Sequence, residues 1–164
     1  MADEPPAAGN LTAPGLFRRL ASITYDSMLV IGLMALAINL VVIPLGIFLG
    51  WDGIDTAALR RNPFYIAYLC LVPALFFIGF WSLAGETLGM RAWRMRIVRK
   101  DGGKPNLREA TIRYLAAILS WAVLGLGFLW ILVDRERLAW HDRLSGTRLV
   151  LVPRRAARNK RSTP

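Results

Sequence analysis

Three long apolar runs, separated by segments rich in charged residues, set the pattern of this chain. They cover about residues 24–49, 63–84 and 112–133, and their apolar residues are continuous instead of recurring at the spacing of one helix or strand face. A bilayer crossing takes about 20 predominantly apolar residues, so each run is long enough to cross. The pattern therefore predicts an all-α transmembrane fold.

The first predicted helix spans residues 16–49 and carries charged side chains near its beginning. Arg18 and Arg19 precede Asp26, and the seven-residue step from Arg19 to Asp26 is two helical turns, roughly 10 Å, so these two side chains share one face. An ionised carboxylate costs about 2.5–3.5 kcal/mol at the centre of a membrane helix and less near its ends. Asp26 therefore needs a cationic partner, a water-filled pocket or a proton.

The two loops differ in charge, and this difference predicts the topology. In residues 50–62 the charges of the acidic and basic side chains cancel. The pair Asn62-Pro63 at the end of this loop is typical of a helix start. Residues 85–111 have a large basic excess, which the positive-inside rule assigns to the cytoplasm. The N-terminus then lies on the cytoplasmic side. The basic residues of this second loop, with one just beyond it, are Arg91, Arg94, Arg96, Arg99, Lys100, Lys104, Arg108 and Arg113.

The third apolar run has two possible paths. Gly125 and Gly127 interrupt it near the middle, and residues 94–99 and 147–152 each have the pattern of a short strand. Those strands can pair only if both lie on one side of the membrane. We therefore predict two full crossings, a third apolar segment broken at Gly125-Gly127, and a cytoplasmic two-stranded element. A plain third crossing is the alternative, because membrane helices tolerate glycine.

These features divide the chain into a disordered tail at residues 1–15, a transmembrane domain at 16–152 and a basic tail at 153–164. The formal net charge of +10 suits anionic lipid headgroups better than nucleic acid, because the basic residues flank apolar runs. A single cysteine, Cys70, excludes an intrachain disulfide or a thiolate cluster. No nucleophile with its base, phosphate loop or metal-ligand set stands out, so neither an enzyme nor a cofactor is predicted.

Three separated motifs resemble those of the RDD family of small prokaryotic membrane proteins. They are Arg19 with Asp26, residues 85–91 (GETLGMR) and residues 139–150 (AWHDRLSGTRLV). The resemblance covers residues 16–152, although Met90 stands where the family often has a basic residue. The family is named for one arginine and two aspartates, which match Arg19, Asp26 and Asp142. The resemblance implies a multi-pass protein of the bacterial inner membrane, with transport of an unknown ligand suggested and cation/proton exchange proposed for some members.

On this basis Arg19, Asp26 and Asp142 are expected to form one polar site near the cytoplasmic face. An arginine between two carboxylates can hold both by charge-assisted hydrogen bonds. Such a group serves either as a transport site, in which a cation or proton displaces the arginine, or as a structural clasp between the first helix and the C-terminal segment. Both interpretations stay open.

The secondary candidates are His141, Glu86 and Thr87. His141 is the single histidine and adjoins Asp142, so it suits either a proton relay or a hydrogen bond at the interface. Glu86 is expected to cap a helix or pair with an arginine, and Thr87 to shape the loop entry. Three apolar runs enclose little volume, so a transport pathway implies a homo-oligomer. The rival function is a non-transporting scaffold or accessory subunit that binds anionic lipid or a protein partner.

Overall fold

The computed structural model describes residues 12–152. The predicted tails therefore lie outside the described residues, except for residues 12–15. These residues contact the folded domain, because the Thr12 carbonyl accepts a 2.9 Å hydrogen bond from the Leu151 amide and Pro14 is fully buried. The limits of the domain remain a prediction.

Two long helices form the membrane-crossing part of the fold. Helix α1 spans Leu16–Leu49 and α3 spans Pro63–Leu83, and both are long and apolar enough to cross a bilayer, as predicted. A 3-10 turn, Trp51–Gly53, and a short helix α2, Thr56–Arg61, connect them. The Asn62 side chain caps α3 by accepting hydrogen bonds from two backbone amides of its first turn.

The third apolar segment is bent, as the glycine break predicts. Helix α5, Leu107–Ala122, is followed by α6, Leu126–Leu129, and a 3-10 turn, Trp130–Leu132. The helix axis bends by 107° between the two halves. Gly125 lies at the break with φ of +78°, a conformation that favours glycine. Helix α5 begins five residues before the predicted run, because Asn106 and Glu109 form a capping box there.

A small antiparallel sheet joins the segment between α3 and α5 to the C-terminal end of the domain. Strand β1, Met95–Arg99, pairs with β2, Thr147–Leu151, which confirms the predicted two-stranded element. Helix α4, Leu88–Ala92, precedes β1, and α7, Trp140–Ser145, precedes β2. Strand β1 begins one residue later than predicted because Arg94 has φ of +54°, outside the extended region.

The protein core lies between this sheet and the helices beside it. Met95, Ile97 and Leu149 project from the strands onto Trp81 of α3 and Ala110 of α5. In contrast, the outer faces of α1 and α3 expose large apolar side chains, as expected of helices that face lipid. The packed core therefore surrounds one end of the membrane helices, and the candidate site lies there.

Candidate functional site

Asp142 is the centre of a buried charge cluster. It occupies the first turn of α7, where its Oδ2 accepts a 2.9 Å hydrogen bond from the Ala139 amide. Arg19 Nη1, from α1, donates to the same oxygen at 3.1 Å. Arg113 Nη2, from α5, lies 2.7 Å from Oδ1, close enough for an ion pair although it is not aligned as a hydrogen bond. One carboxylate thus holds two guanidinium groups, and all three residues are buried.

Both arginines have further partners that fix them in place. Arg19 donates to the Pro14 carbonyl at 3.3 Å and to the Arg137 carbonyl at 3.0 Å. Arg113 donates to the Thr147 hydroxyl at 2.8 Å, and its guanidinium lies 5.5 Å from the centre of the Trp81 ring. The cluster therefore joins α1, α5, α7 and β2, in the arrangement of a clasp.

His141 lies beside the cluster but is neutral. Its Nε2 is 3.7 Å from Asp142 Oδ1, and its ring lies 5.0 Å from that of Phe128. Burial, followed by the charge of Arg113, lowers the pKa of His141 from 6.5 to about 3. Burial on its own raises the pKa of Asp142, but Arg113, followed by His141, Arg19 and the Ala139 amide, outweighs it and holds that pKa below its usual range. At neutral pH the cluster is one carboxylate, two guanidinium groups and a neutral imidazole.

Asp26 has a separate environment. Its Oδ2 accepts a 2.5 Å hydrogen bond from the Thr87 hydroxyl, and its Oδ1 accepts a 2.9 Å bond from the Gly89 amide. The side chain is buried, and within residues 12–152 no cationic group lies within 4.0 Å of it. The expectation that one arginine bridges two carboxylates is therefore not met, because Arg19 contacts Asp142 and not Asp26.

The N-terminal residues of α4 contact Asp26 directly. Thr87 is the N-cap of α4 and accepts a 3.2 Å hydrogen bond from the Met90 amide while it donates to Asp26. At Gly89 a Cβ atom would lie 2.5 Å from the Ser22 carbonyl and 2.8 Å from Asp26 Oδ1. Only glycine permits this approach of α4 to α1, so Gly89 is a positioning residue for Asp26.

A cavity of about 270 Å³ connects the two environments. It lies among α1, α3 and α5 and reaches both Asp26 and the charge cluster, whereas most of its wall is apolar. Its charged and polar lining includes Arg19, Asp26, Arg113, His141, Ser22 and Ser27, and its aromatic lining is Phe77, Trp81, Tyr114, Trp121 and Phe128.

Glu86 is a secondary candidate, whereas Arg113 is a residue of the charge cluster that the sequence does not single out. Glu86 forms ion pairs with Arg91 at 3.0 Å and with Arg96 at 3.6 Å, and pairing with an arginine is one of the two roles expected of it. Arg113, which the sequence places just beyond the second loop, lies inside α5 and is 1% exposed. The Asn106-Glu109 capping box is the signal that places it in the helix. Within the described residues no three His, Cys, Asp or Glu side chains converge as a metal site.

Comparison with known proteins agrees with the fold and the motifs. An uncharacterised protein of Rickettsia prowazekii (strain Madrid E) is 36% identical over 78 residues, which are 47% of this chain and 43% of that protein. The match thus spans less than half the length of this relative, and no solved structure matches the chain. The model of the RDD family matches residues 13–146, which is most of the chain. The chain therefore belongs to the RDD family and is a helical membrane protein.

Proposed function

We propose that this membrane protein exchanges a small cation or solute for protons, and that Asp26 is the carboxylate that exchanges its partner. The observation that carries this proposal is the state of Asp26, which is 3% exposed, lines the cavity and has no cationic partner within the described residues. A buried carboxylate without a counter-ion is costly in a membrane protein, so a proton or a cation is its expected companion.

Two opposing influences at Asp26 support an exchange role. The Thr87 hydroxyl and the Gly89 amide donate to the carboxylate and so stabilise its charged form. Burial in apolar surroundings stabilises the neutral form. A cation or proton that enters the cavity would change the balance between these two influences, as an exchange role requires.

In this proposal the cluster of Arg19, Arg113 and Asp142 stays fixed. Its guanidinium groups already have carboxylate, carbonyl and hydroxyl partners, so they do not need to move for Asp26 to change its charge. The cluster holds α1, α5 and α7 around the cavity. The signature residues thus divide into a framework and an exchanging group.

We also propose that the protein lies in the bacterial inner membrane with its N-terminus in the cytoplasm. The basic excess of the segment between α3 and α5 supports this orientation. A cavity of about 270 Å³ holds roughly nine water volumes of ~30 Å³ and does not by itself span a bilayer. A continuous pathway therefore calls for a homo-oligomer.

Proton movement in proteoliposomes tests the proposal. A gradient of sodium, of potassium or of a small organic ammonium ion is imposed in turn, and a pH-sensitive dye inside the vesicles reports proton flux. We expect flux with the wild type and none with Asp26→Asn. Asp101→Asn is the matched control, because Asp101 is an exposed acid paired with Arg99 outside the cavity. Absence of flux from folded wild-type protein under every gradient contradicts the proposal.

A non-transporting scaffold is the second candidate function. The observation that favours it is the clasp itself, because a fixed ion cluster accounts for Arg19 and Asp142 without transport. The exposed side chains of Arg91, on α4, and Arg96, on β1, suit anionic headgroups. Failure of ion flux together with salt-sensitive retention of phosphatidylglycerol by the purified protein is the result expected of a scaffold.

A further inference from the structure

We infer that the cavity beside Asp26 binds a hydrophobic organic cation, that is, an ammonium group that carries an apolar substituent. This inference rests on the proposed function and names the substrate class of the same site. Four properties of the cavity support it: the scarcity of oxygen ligands, the aromatic wall, the volume and the balance of charge.

The cavity offers few ligands to a bare metal ion. Hard cations such as Ca²⁺ take six to eight oxygen ligands. Besides Asp26, the side chains with oxygen atoms that line the cavity are Ser22, Ser27 and Tyr114, and most of the remaining wall is apolar. Both Asp26 oxygens already accept hydrogen bonds, from Thr87 and Gly89. A metal ion would have to keep most of its water, whereas an organic ammonium group needs only a single carboxylate and an apolar wall.

Aromatic rings cover much of that wall in two pairs. The rings of Phe77 and Tyr114 are stacked 6.2 Å apart, and those of Trp121 and Phe128 lie 5.4 Å apart across the bend between α5 and α6. Ring faces attract ammonium groups, most strongly where water is excluded. A cation is already held in this way at one end of the cavity, where the Arg113 guanidinium lies over Trp81.

Size and charge complete the match. A volume of about 270 Å³ falls just below the usual range for ligand pockets, so the cation is small, with one ring or a short alkyl chain. Arg19, Arg113 and Asp26 line the cavity, and Asp142 pairs with both arginines. These two positive and two negative charges sum to zero when Asp26 is ionised. A monovalent cation then adds the same charge as a proton on Asp26. The organic cation and the proton can therefore replace each other without a change in the charge of the cavity, as exchange requires.

An organic anion fits less well. The guanidinium groups of Arg19 and Arg113 are engaged by Asp142 and by the protein's own carbonyl and hydroxyl groups. The Arg113 Nε atom lacks a hydrogen-bond partner within the described residues, but it is completely enclosed and is not reached from the cavity without rearrangement. An anion would also lie close to Asp26.

Binding to the purified full-length protein tests the inference. Three probes of similar shape are compared by calorimetry in detergent: benzyltrimethylammonium, its neutral carbon analogue neopentylbenzene, and benzenesulfonate. We expect the ammonium probe to bind best and to release protons from the protein as it binds. Asp26→Asn and Phe77→Leu should each weaken its binding by about tenfold. Phe64→Leu is the matched control, because Phe64 is 85% exposed on α3 and lies outside the cavity.

Equal binding of the neutral probe, stronger binding of the anion, or unchanged binding in folded Asp26→Asn protein overturns the inference. The comparison of probes on the wild type keeps the test valid if a variant fails to fold. Metal-driven proton flux that depends on Asp26, without ammonium binding, rejects the organic cation and leaves the proposed exchange intact. Ammonium binding that depends on Asp26, without any flux, supports the cation site and rejects the exchange.

Discussion

Replacement of Asp142 by asparagine removes the single carboxylate that neutralises two buried arginines. Arg19 is 8% exposed and Arg113 is 1% exposed, and both lie within ion-pair distance of Asp142. The amide keeps the shape of the side chain but loses its charge. Two guanidinium charges then face each other in a buried cluster, with no other acid in the described residues within ion-pair distance of either.

The expected loss of unfolding free energy is about 3 kcal/mol. Removal of one partner from a buried ion pair typically costs about 3–5 kcal/mol. The lower end applies here because Arg19 keeps its two carbonyl partners and Arg113 keeps the Thr147 hydroxyl. Asp26→Asn leaves no cation without a partner and alters only its hydrogen bonds to Thr87 and Gly89, so it should cost about 1–2 kcal/mol.

Unfolding in mixed micelles, followed by tryptophan fluorescence as the denaturing detergent increases, measures both variants against the wild type. The double variant Arg113→Gln/Asp142→Asn removes one of the two unpaired charges, so it should be more stable than the sum of the single effects predicts, by about 1 kcal/mol or more. Equal losses for Asp142→Asn and Asp26→Asn, or strict additivity in the double variant, would refute the assignment of Asp142 as the centre of the clasp.

Three further predictions concern buried positions. Because burial holds the pKa of His141 at about 3, below pH 6.5 the unfolded chain binds a proton at this residue that the folded protein does not bind. The unfolding free energy should therefore fall by about 1.4 kcal/mol for each pH unit between pH 6 and 4. His141→Leu should remove this slope when unfolding is measured over the same pH range. Gly89→Ala should cost about 1–3 kcal/mol and reduce proton flux, because its Cβ meets the Ser22 carbonyl at 2.5 Å. Gly127→Ala should lower the melting temperature, since its Cβ meets Ser120 Cβ at 2.6 Å, whereas Gly79→Ala, with open space around it, should not.

The helices and strands were predictable because their signals are local. The length of each apolar run, the Asn62-Pro63 start of α3 and the glycine break are all read from neighbouring residues. The bend of the third segment needed one more step, the requirement that two pairing strands lie on one side of the membrane. That requirement is topological, and the observed pairing of β1 with β2 agrees with it.

The contacts of the charged residues were less predictable because they depend on tertiary structure. Asp26 meets donors that lie 61 and 63 residues further along the chain, at Thr87 and Gly89. Both donors belong to the motif GETLGMR, residues 85–91, but nothing local in the sequence indicates that this motif faces Asp26. Arg113 was missed for a related reason, since its role depends on how α5 begins and on which face packs against α7.

The two signature aspartates differ in what surrounds them, and this difference determines their chemistry. Asp142 lies between two fixed cations, so its charge is compensated and a change of charge there would unbalance the clasp. Asp26 lies two helical turns from Arg19 on the same helix, with donors but no cation, and it faces the same cavity. A proton or a cation at Asp26 therefore changes the charge of the cavity without breaking the cluster. In the proposed exchange, a fixed ion cluster lies beside a carboxylate that changes its partner. That division would explain why this domain has an arginine and two aspartates, and it predicts that the two acids are not interchangeable.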